Sequence, residues 1–361
     1  MAPRLIVIGG GYIGTAVARR LDAEMDVTLI EPREAMVHTP AMIRALVHPE
    51  LTGRAILPYD RLLRRGRVIR DRALRVGTDG VALAGGATAN ADLILVATGS
   101  SHAAFLKPRG DSLDDFRDSQ ADTAARIAKA RHIAIAGAGP VGIELAGEIA
   151  AALPGKPVTL VSSTARLMPG FPQRLGRMLD ARLAGMGVTV IQGRAILPRQ
   201  DCPLTGPLLL EDGRRIDADL VLPATGAHAR SDIFGDAPLA HDGRIVTDPW
   251  LQISDKAPIF AAGDVAATGD AMTIVATMRQ VPYLVHVLRA AARGRDIQRL
   301  RPYRPWPCAP ILLPLGPRHG ASFLPLPGPL RPLGVVGGLA TRQLKGADLF
   351  IPKYRRAFGL A

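Results

Sequence analysis

Cysteine is nearly absent from this 361-residue chain: Cys202 and Cys308 are the only two. Two thiols so far apart build neither a disulfide framework nor a Cys-rich zinc module, and they leave no Cys-x-x-Cys or Cys-x4-Cys redox pair. Lysine is scarce as well, at six of the 45 Lys and Arg residues, so arginine carries nearly all of the formal net charge of +13. No dense basic tract occurs. The charge therefore reads first as a preference for Arg over Lys; attraction to an acidic protein or anionic lipid stays open, and nucleic acid is the weakest of these partners. No apolar run reaches the ~18 residues of a membrane span. No signal-peptide pattern precedes the apolar segment at Leu5, and Ala2 stands where N-myristoylation needs glycine. The expectation is a cytoplasmic protein, with at most a peripheral contact at the inner face of a membrane. His38, His48, His102, His228 and His286 show no ligand spacing and no G-x-S-x-G occurs, so neither a metal site nor a hydrolase is expected.

What is present is the balance of a globular enzyme, 48% hydrophobic and 21% charged, long enough for two or three domains. Leu5-Ile6-Val7-Ile8 has the composition of a buried strand. Gly9-Gly10-Gly11-Tyr12-Ile13-Gly14 follows, then a helix, then a second strand Val27-Thr28-Leu29-Ile30 that ends at Glu31. This is a βαβ unit with G-x-G-x-x-G at its first turn and an acid after its second strand. In such a unit Gly9 permits the tight turn, Gly11 leaves room for a pyrophosphate and Gly14 lets helix and strand pack closely. The phosphates sit on unpaired N–H groups at the helix N-terminus, and Glu31 accepts from a ribose diol.

The same grammar recurs further along. A strand, 132–136, leads into Gly137-Ala138-Gly139-Pro140-Val141-Gly142, a helix, and a strand 158–161 followed by Ser162 in place of an acid. Without that carboxylate a 2′-phosphate is not repelled, and Ser162, Ser163 and Arg166 are candidates to bind it. The alternative makes them ordinary loop residues, so NADH and NADPH both stay open. Each unit also closes on a similar strand, one ending in Ala97-Thr98-Gly99 and the other in Ala224-Thr225-Gly226, after a short hairpin around Gly77-Thr78-Asp79-Gly80 or Asp212-Gly213. A strand 259–262 then ends in Gly263-Asp264. Beyond residue 296 the chain turns Pro-rich and apolar, with short strands expected at 311–313 and 323–324. Such a repeat predicts an α/β protein with two Rossmann-like dinucleotide domains, the second inserted in the first, and a smaller C-terminal α+β section. The expected boundaries are 1–115 and 236–296 for the first domain, 116–235 for the inserted one and 297–361 for the C-terminal section.

Taken together, the two glycine turns, Glu31, the two Thr-Gly pairs and Gly263-Asp264 resemble the FAD-dependent pyridine nucleotide-disulfide oxidoreductases. Within that class the missing cysteine pair sets aside disulfide-reductase chemistry. The segment Val141-Gly142-Ile143-Glu144-Leu145-Ala146-Gly147-Glu148-Ile149, the strand Pro310–Pro317 and the terminal Lys345-Gly346-Ala347-Asp348-Leu349-Phe350 resemble the apoptosis-inducing-factor-like and ferroptosis-suppressor-like NAD(P)H:quinone oxidoreductases. That resemblance implies FAD on the first turn, with Asp264 on its ribitol, and NADH or NADPH on the second. It places Glu144 at the nicotinamide, and Lys345 and Phe350 near the isoalloxazine. Read by themselves, Glu144 is a solvated helix-face carboxylate and Phe350 a core aromatic. Arg279 and Gln280 are expected to open or line a helix near the flavin, and the section 306–330 to cover it and shape a pocket for a quinone-like ring. A ferredoxin- or rubredoxin-type reductase serving an acidic carrier is the alternative. A nucleic-acid-binding or signalling protein that keeps FAD for structure is a third reading.

Overall fold

The computed structural model describes residues 2–77, 80–198, 202–234, 238–254 and 257–360. Thr78 and Asp79 of the first expected hairpin turn, and the expected boundary at 235/236, lie outside these residues.

The chain opens with strand β1 (Arg4–Ile8), helix α1 (Tyr12–Leu21) and strand β2 (Asp26–Ile30). Leu5 to Ile8 are each at most 3% exposed. A strand covered on both faces has no polar alternation, which is why this one is a continuous apolar run. It pairs in parallel with β2, Leu5 opposite Val27. Helix α2 (Thr39–Ala45), strand β3 (Arg67–Ile69) and strand β4 (Leu93–Val96) follow. β3 extends the sheet beyond β2, and β4 pairs in parallel with the other edge of β1. Between them lies a three-stranded antiparallel excursion, Ala73–Gly77, Gly80–Leu83 and Thr88–Ala89.

Helix α3 (Leu113–Lys129) leads into the second unit. This consists of β5 (Ile133–Ala136), α4 (Pro140–Ala152), β6 (Val158–Ser162), α5 (Gln173–Gly185), β7 (Val188–Gln192), β8 (Leu204–Thr205) and β9 (Leu220–Pro223). Its sheet runs β7-β6-β5-β9-β8, parallel except for β8. The hairpin expected around Asp212-Gly213 is present as Leu208–Leu209 against Arg215–Ile216.

The chain then returns to the first sheet. Strands β10 (Gln252–Ser254) and β11 (Ala257–Ala261) complete the order β10-β11-β4-β1-β2-β3, with β11 parallel to β4. An insertion of one doubly wound unit into another is thus the observed topology. Helix α6 (Thr277–Ala292) packs on α1. The C-terminal section supplies β12 (Ile311–Leu315), β13 (His319–Phe323), β14 (Val335–Val336) and helix α7 (Ile351–Ala357). β12 lies against α4 so closely that a Cβ on Gly147 would overlap Leu315. One apolar cluster therefore joins the second unit to the C-terminal section, through Leu145, Ile149, Leu313 and Phe323. The C-terminal end of the chain, which carries Lys353, Arg355 and Arg356, is anchored by Phe358, which is 2% exposed, against Tyr59.

Candidate active site

The two glycine turns share one backbone. Gly9 and Gly137 have φ of 105° and 115°, which L side chains rarely adopt. A Cβ on either would overlap the carbonyl of the neighbouring strand end, Ala97 or Ala224. Likewise a Cβ on Gly14 or Gly142 would overlap the carbonyl of Gly9 or Gly137. Gly11 and Gly139 cap helices α1 and α4, and neither helix start receives a side-chain hydrogen bond. A Cβ there would meet only open space. Unpaired helix N–H groups beside open space are what a diphosphate requires.

Around the first turn lies one large cleft. Of the residues singled out from sequence, Gly9, Gly11, Tyr12, Ile13, Glu31, Thr98, Gly99, Gly263, Asp264, Pro140, Val141, Glu144, Lys345 and Phe350 line it. Gly14, Gly137, Gly139, Gly142, Ser162, Arg166 and Gly226 do not. Glu31 is held on both oxygens: it accepts from Gly10 N at 2.8 Å and from Arg33 Nε at 2.6 Å. Ser100 Oγ donates to Asp264 Oδ2 at 2.6 Å, and Lys107 Nζ donates to Ser100 Oγ at 3.2 Å. Burial drives the Lys107 ammonium down to about 8, against the pull of Asp264, and the like charges of Arg230 and Arg33 add to the fall. Sequence reasoning missed these three cations. Spacing carried no signal for them, because Arg230 comes from the end of the inserted unit and meets Pro108 only in the fold.

The opposite wall is built from three distant parts of the chain. Lys345 Nζ donates to Glu144 Oε1 at 2.6 Å and to the Leu312 carbonyl at 3.2 Å. Both side chains are about nine-tenths covered. Burial raises the Glu144 carboxyl, and Lys345 opposes that rise. Glu144 is therefore no solvated surface carboxylate. One turn further along α4, Glu148 accepts both arms of Arg44, at 2.9 and 2.8 Å, and Arg44 also donates to the Gly346 carbonyl at 2.7 Å. This buried fork ties α2, α4 and the turn that carries Lys345. His38 performs a similar task for Phe350. Its Nδ1 is 2.9 Å from the Tyr12 hydroxyl and its Nε2 is 2.6 Å from the Leu349 carbonyl. Burial holds the His38 imidazole down at about 4, so the ring is neutral, with Nε2–H donating to Leu349. Leu349 and Phe350 both have positive φ, 53° and 64°, and this left-handed corner turns Phe350 into the cleft.

Arg279 and Gln280 fall in the opening turn of helix α6, as expected, while the section 306–330 is placed differently from its expectation. Gln280 does not line the cleft. It is 1% exposed, accepts from Gly263 N at 2.7 Å and donates to Asp270 Oδ2 at 2.9 Å, and so braces the Gly263-Asp264 turn from behind. Arg279 lies over the Trp306 ring at 5.0 Å; the cleft wall here is 272–277. Of the section 306–330 only Pro310, Ile311 and Leu312 reach the cleft, while Leu326 and Leu330 face solvent. In the second unit, Ser162 Oγ donates to the Thr164 carbonyl at 2.9 Å, and Arg166 donates to the carbonyls of Phe171 and Pro169. Both side chains are engaged within their own loop.

Comparison with known proteins agrees with this architecture. The family model "Pyridine nucleotide-disulphide oxidoreductase" matches residues 3–287. The chain is 26% identical over 377 residues to apoptosis-inducing factor homolog B of Dictyostelium discoideum, covering 97% of this chain and 95% of that protein. It is 25% identical to ferroptosis suppressor protein 1 of Homo sapiens, covering 97% and 94%. Among solved structures, the ferredoxin reductase for the CYP199A2 system of Rhodopseudomonas palustris superposes with a TM-score of 0.63 at 20% identity, over 89% of this chain and 88% of that one. The reduced CoADR-RHD of Bacillus anthracis superposes with a TM-score of 0.62 at 18% identity, over 80% of this chain, which spans 57% of the length of that one. The chain belongs to the pyridine nucleotide-disulphide oxidoreductase family and is an FAD-dependent NAD(P)H oxidoreductase.

Proposed function

We propose that this family member oxidises NAD(P)H and reduces a quinone-like acceptor. Bound FAD supplies the two-electron chemistry, between the nicotinamide hydride and the acceptor. The first glycine turn would hold its diphosphate, and Glu31 and Asp264 its two sugar-like ends. The second turn would hold the diphosphate of NAD(P)H. The observation that carries the reading is the buried Glu144–Lys345 pair, 2.6 Å apart, beside an apolar wall of Ile43, Pro310 and Ile311. An apolar wall accepts a flat, uncharged ring, and a buried carboxyl–ammonium pair holds a proton where the acceptor must take one up. Reduction of a quinone to a quinol consumes two electrons and two protons. NAD(P)H and one solvent proton supply them, and Lys345 Nζ with Glu144 Oε1 keeps a proton at the wall. Lacking a cysteine pair, the chain has no dithiol relay of its own for a disulfide acceptor.

The test is turnover of the flavin-loaded protein with NADH and short-chain water-soluble quinones. Rapid turnover, lowered about a hundredfold by Glu144→Gln with flavin content unchanged, is the expected result. A protein that NAD(P)H reduces but no quinone reoxidises defeats the reading. Reoxidation only by an acidic electron carrier, with rates falling steeply as salt rises, would favour the ferredoxin-reductase alternative that the +13 charge permits.

A further inference from the structure

The net charge is not spread evenly. Residues 297–361 contain ten Lys and Arg and one acid, Asp348, so this section alone carries +9 of the chain's +13. The same section exposes leucines that the cleft does not use. Leu330, Leu333 and Leu339 are 51%, 61% and 79% exposed, and Leu326 and Leu344 about 40%. These five lie on one continuous stretch whose geometry turns them outward. The loop after β13 is closed at its base by Leu324 N donating to the Gly334 carbonyl at 2.9 Å. Leu326, Leu330 and Leu333 are carried on it. Leu339 sits on the short turn Gly338–Thr341, which Thr341 anchors from inside by its hydroxyl, 2.8 Å from Ser322 Oγ. Gly338 lies against the backbone of Arg318 and His319, and exposed Arg318 and Arg342 flank Leu339. Helix α5 is tied to the same region by Arg182, which donates to the Gly320 carbonyl.

Five exposed leucines along one stretch, with Arg318 and Arg342 beside Leu339, have the make-up of an apolar patch rimmed by charge that marks an interaction surface. An acidic protein partner would use the charge but needs no scattered leucines, since protein interfaces gather their apolar contacts into a packed aromatic-rich core. A bilayer uses both at once: leucines enter the headgroup–acyl boundary, and each nearby cation gains from an anionic leaflet. We infer that the leucine-bearing stretch 324–344, with Arg318 and Arg342, is a docking face for an anionic phospholipid surface. No helix among the described residues is long and apolar enough to cross a membrane, and the proposed contact is peripheral. The face also borders the cleft. Leu344 precedes Lys345, and the loop springs from Phe323, which pairs with the cleft residue Ile311. It therefore deepens the quinone reading by giving a lipid-dissolved acceptor a short way in, although lipid binding itself does not depend on that reading.

The experiment is co-sedimentation of the full flavin-loaded chain with vesicles, some of phosphatidylcholine alone and some of phosphatidylcholine mixed with phosphatidylglycerol. Binding to the anionic vesicles only, weakened by salt, is expected. Leu330→Ser with Leu333→Ser, and separately Leu339→Ser, should each lower the partition coefficient about tenfold, while turnover with a water-soluble quinone stays at the wild-type rate. No binding to anionic vesicles at low salt overturns the inference. So does unchanged binding by the leucine variants, which would mean adsorption by charge alone, or self-association of the chain through these leucines. Sedimentation is read without turnover, so a chain that binds vesicles yet reduces no quinone defeats only the proposed function.

Discussion

The two glycine turns share the same backbone angles and close approaches and differ in setting. At the first, Gly9 and Gly10 are buried, and the Tyr59 hydroxyl donates to the Gly10 carbonyl at 2.9 Å, closing the turn from above. Its acid, Glu31, is wired to the turn itself. At the second, the matching Gly137 and Ala138 are half-buried, Gly139 and Pro140 are exposed where Gly11 and Tyr12 are half-buried, and the matching Ser162 faces its own loop. One peptide geometry thus stands in two different settings. An enclosed turn with a fixed carboxylate suits a group that stays; an open turn without one suits a group that must leave each cycle. Under the proposed assignment these are FAD and NAD(P)H, and enclosure rather than the glycine motif separates cofactor from substrate.

The contrast breaks most sharply at the first glycine of each turn. Gly9→Ala should yield colourless protein, because its Cβ would overlap the Ala97 carbonyl at a φ that alanine rarely adopts. Gly137→Ala should remain yellow but lose at least about a hundredfold in its rate of reduction by NADH, followed anaerobically in the visible spectrum. If both variants lose flavin, the two turns do not divide the work.

The next largest effect concerns what holds the two units in register. Arg44→Ala leaves Glu148 charged and buried without its partner, which should destabilise the chain by about 3–5 kcal/mol in chemical denaturation. Arg44→Met with Glu148→Leu should recover much of that loss. A single-variant effect below about 1 kcal/mol would mean that water reaches the fork.

His38 belongs to the enclosed side and gives it a pH dependence. The ring titrates ordinarily near 6.5 and is held at about 4 in the fold. Between those values the unfolded chain binds the proton and the native one does not. Stability should therefore be fully present above pH 6.5, fall as the pH drops towards 4, and level off below, a loss of up to about 3 kcal/mol. His38→Gln should flatten that part of the curve. An unchanged slope in the variant would assign the acid limb to other groups.

The smallest expected effect sharpens the open side. Arg166 already donates to the Phe171 and Pro169 carbonyls, so Arg166→Ala should leave the ratio of NADPH to NADH binding within about twofold, by anaerobic titration. A tenfold loss for NADPH alone would show that the loop opens to receive a 2′-phosphate.

Much of the fold was legible because its signals are local. An apolar run, a glycine at positive φ, a helix start and a second strand lie within about thirty residues, and the sterics of that unit leave few alternatives. Glu31 was legible for the same reason, its distance from the turn being set by one helix and one strand. Gln280 was legible as part of a helix start but its task was not, because its amide meets the backbone of the Gly263 turn only once the helix packs there. Leu326 and Leu330 were taken for cleft walls because their composition matches that of Ile311 and Leu312, and composition does not say which side of a loop meets the interior.

The amino-acid sequence by itself determined two repeated glycine turns between strand and helix, a carboxylate at the end of one unit and not the other, and the absence of a redox thiol pair. Only the tertiary structure decided that Lys345 meets Glu144 across 201 residues, that His38 holds Leu349 across 311, and that Arg33, Lys107 and Arg230 converge on one end of the cleft. The reason is physical. A turn is dictated by the sterics of its own few residues, while a buried charge finds its partner only once packing has excluded water and left it no other.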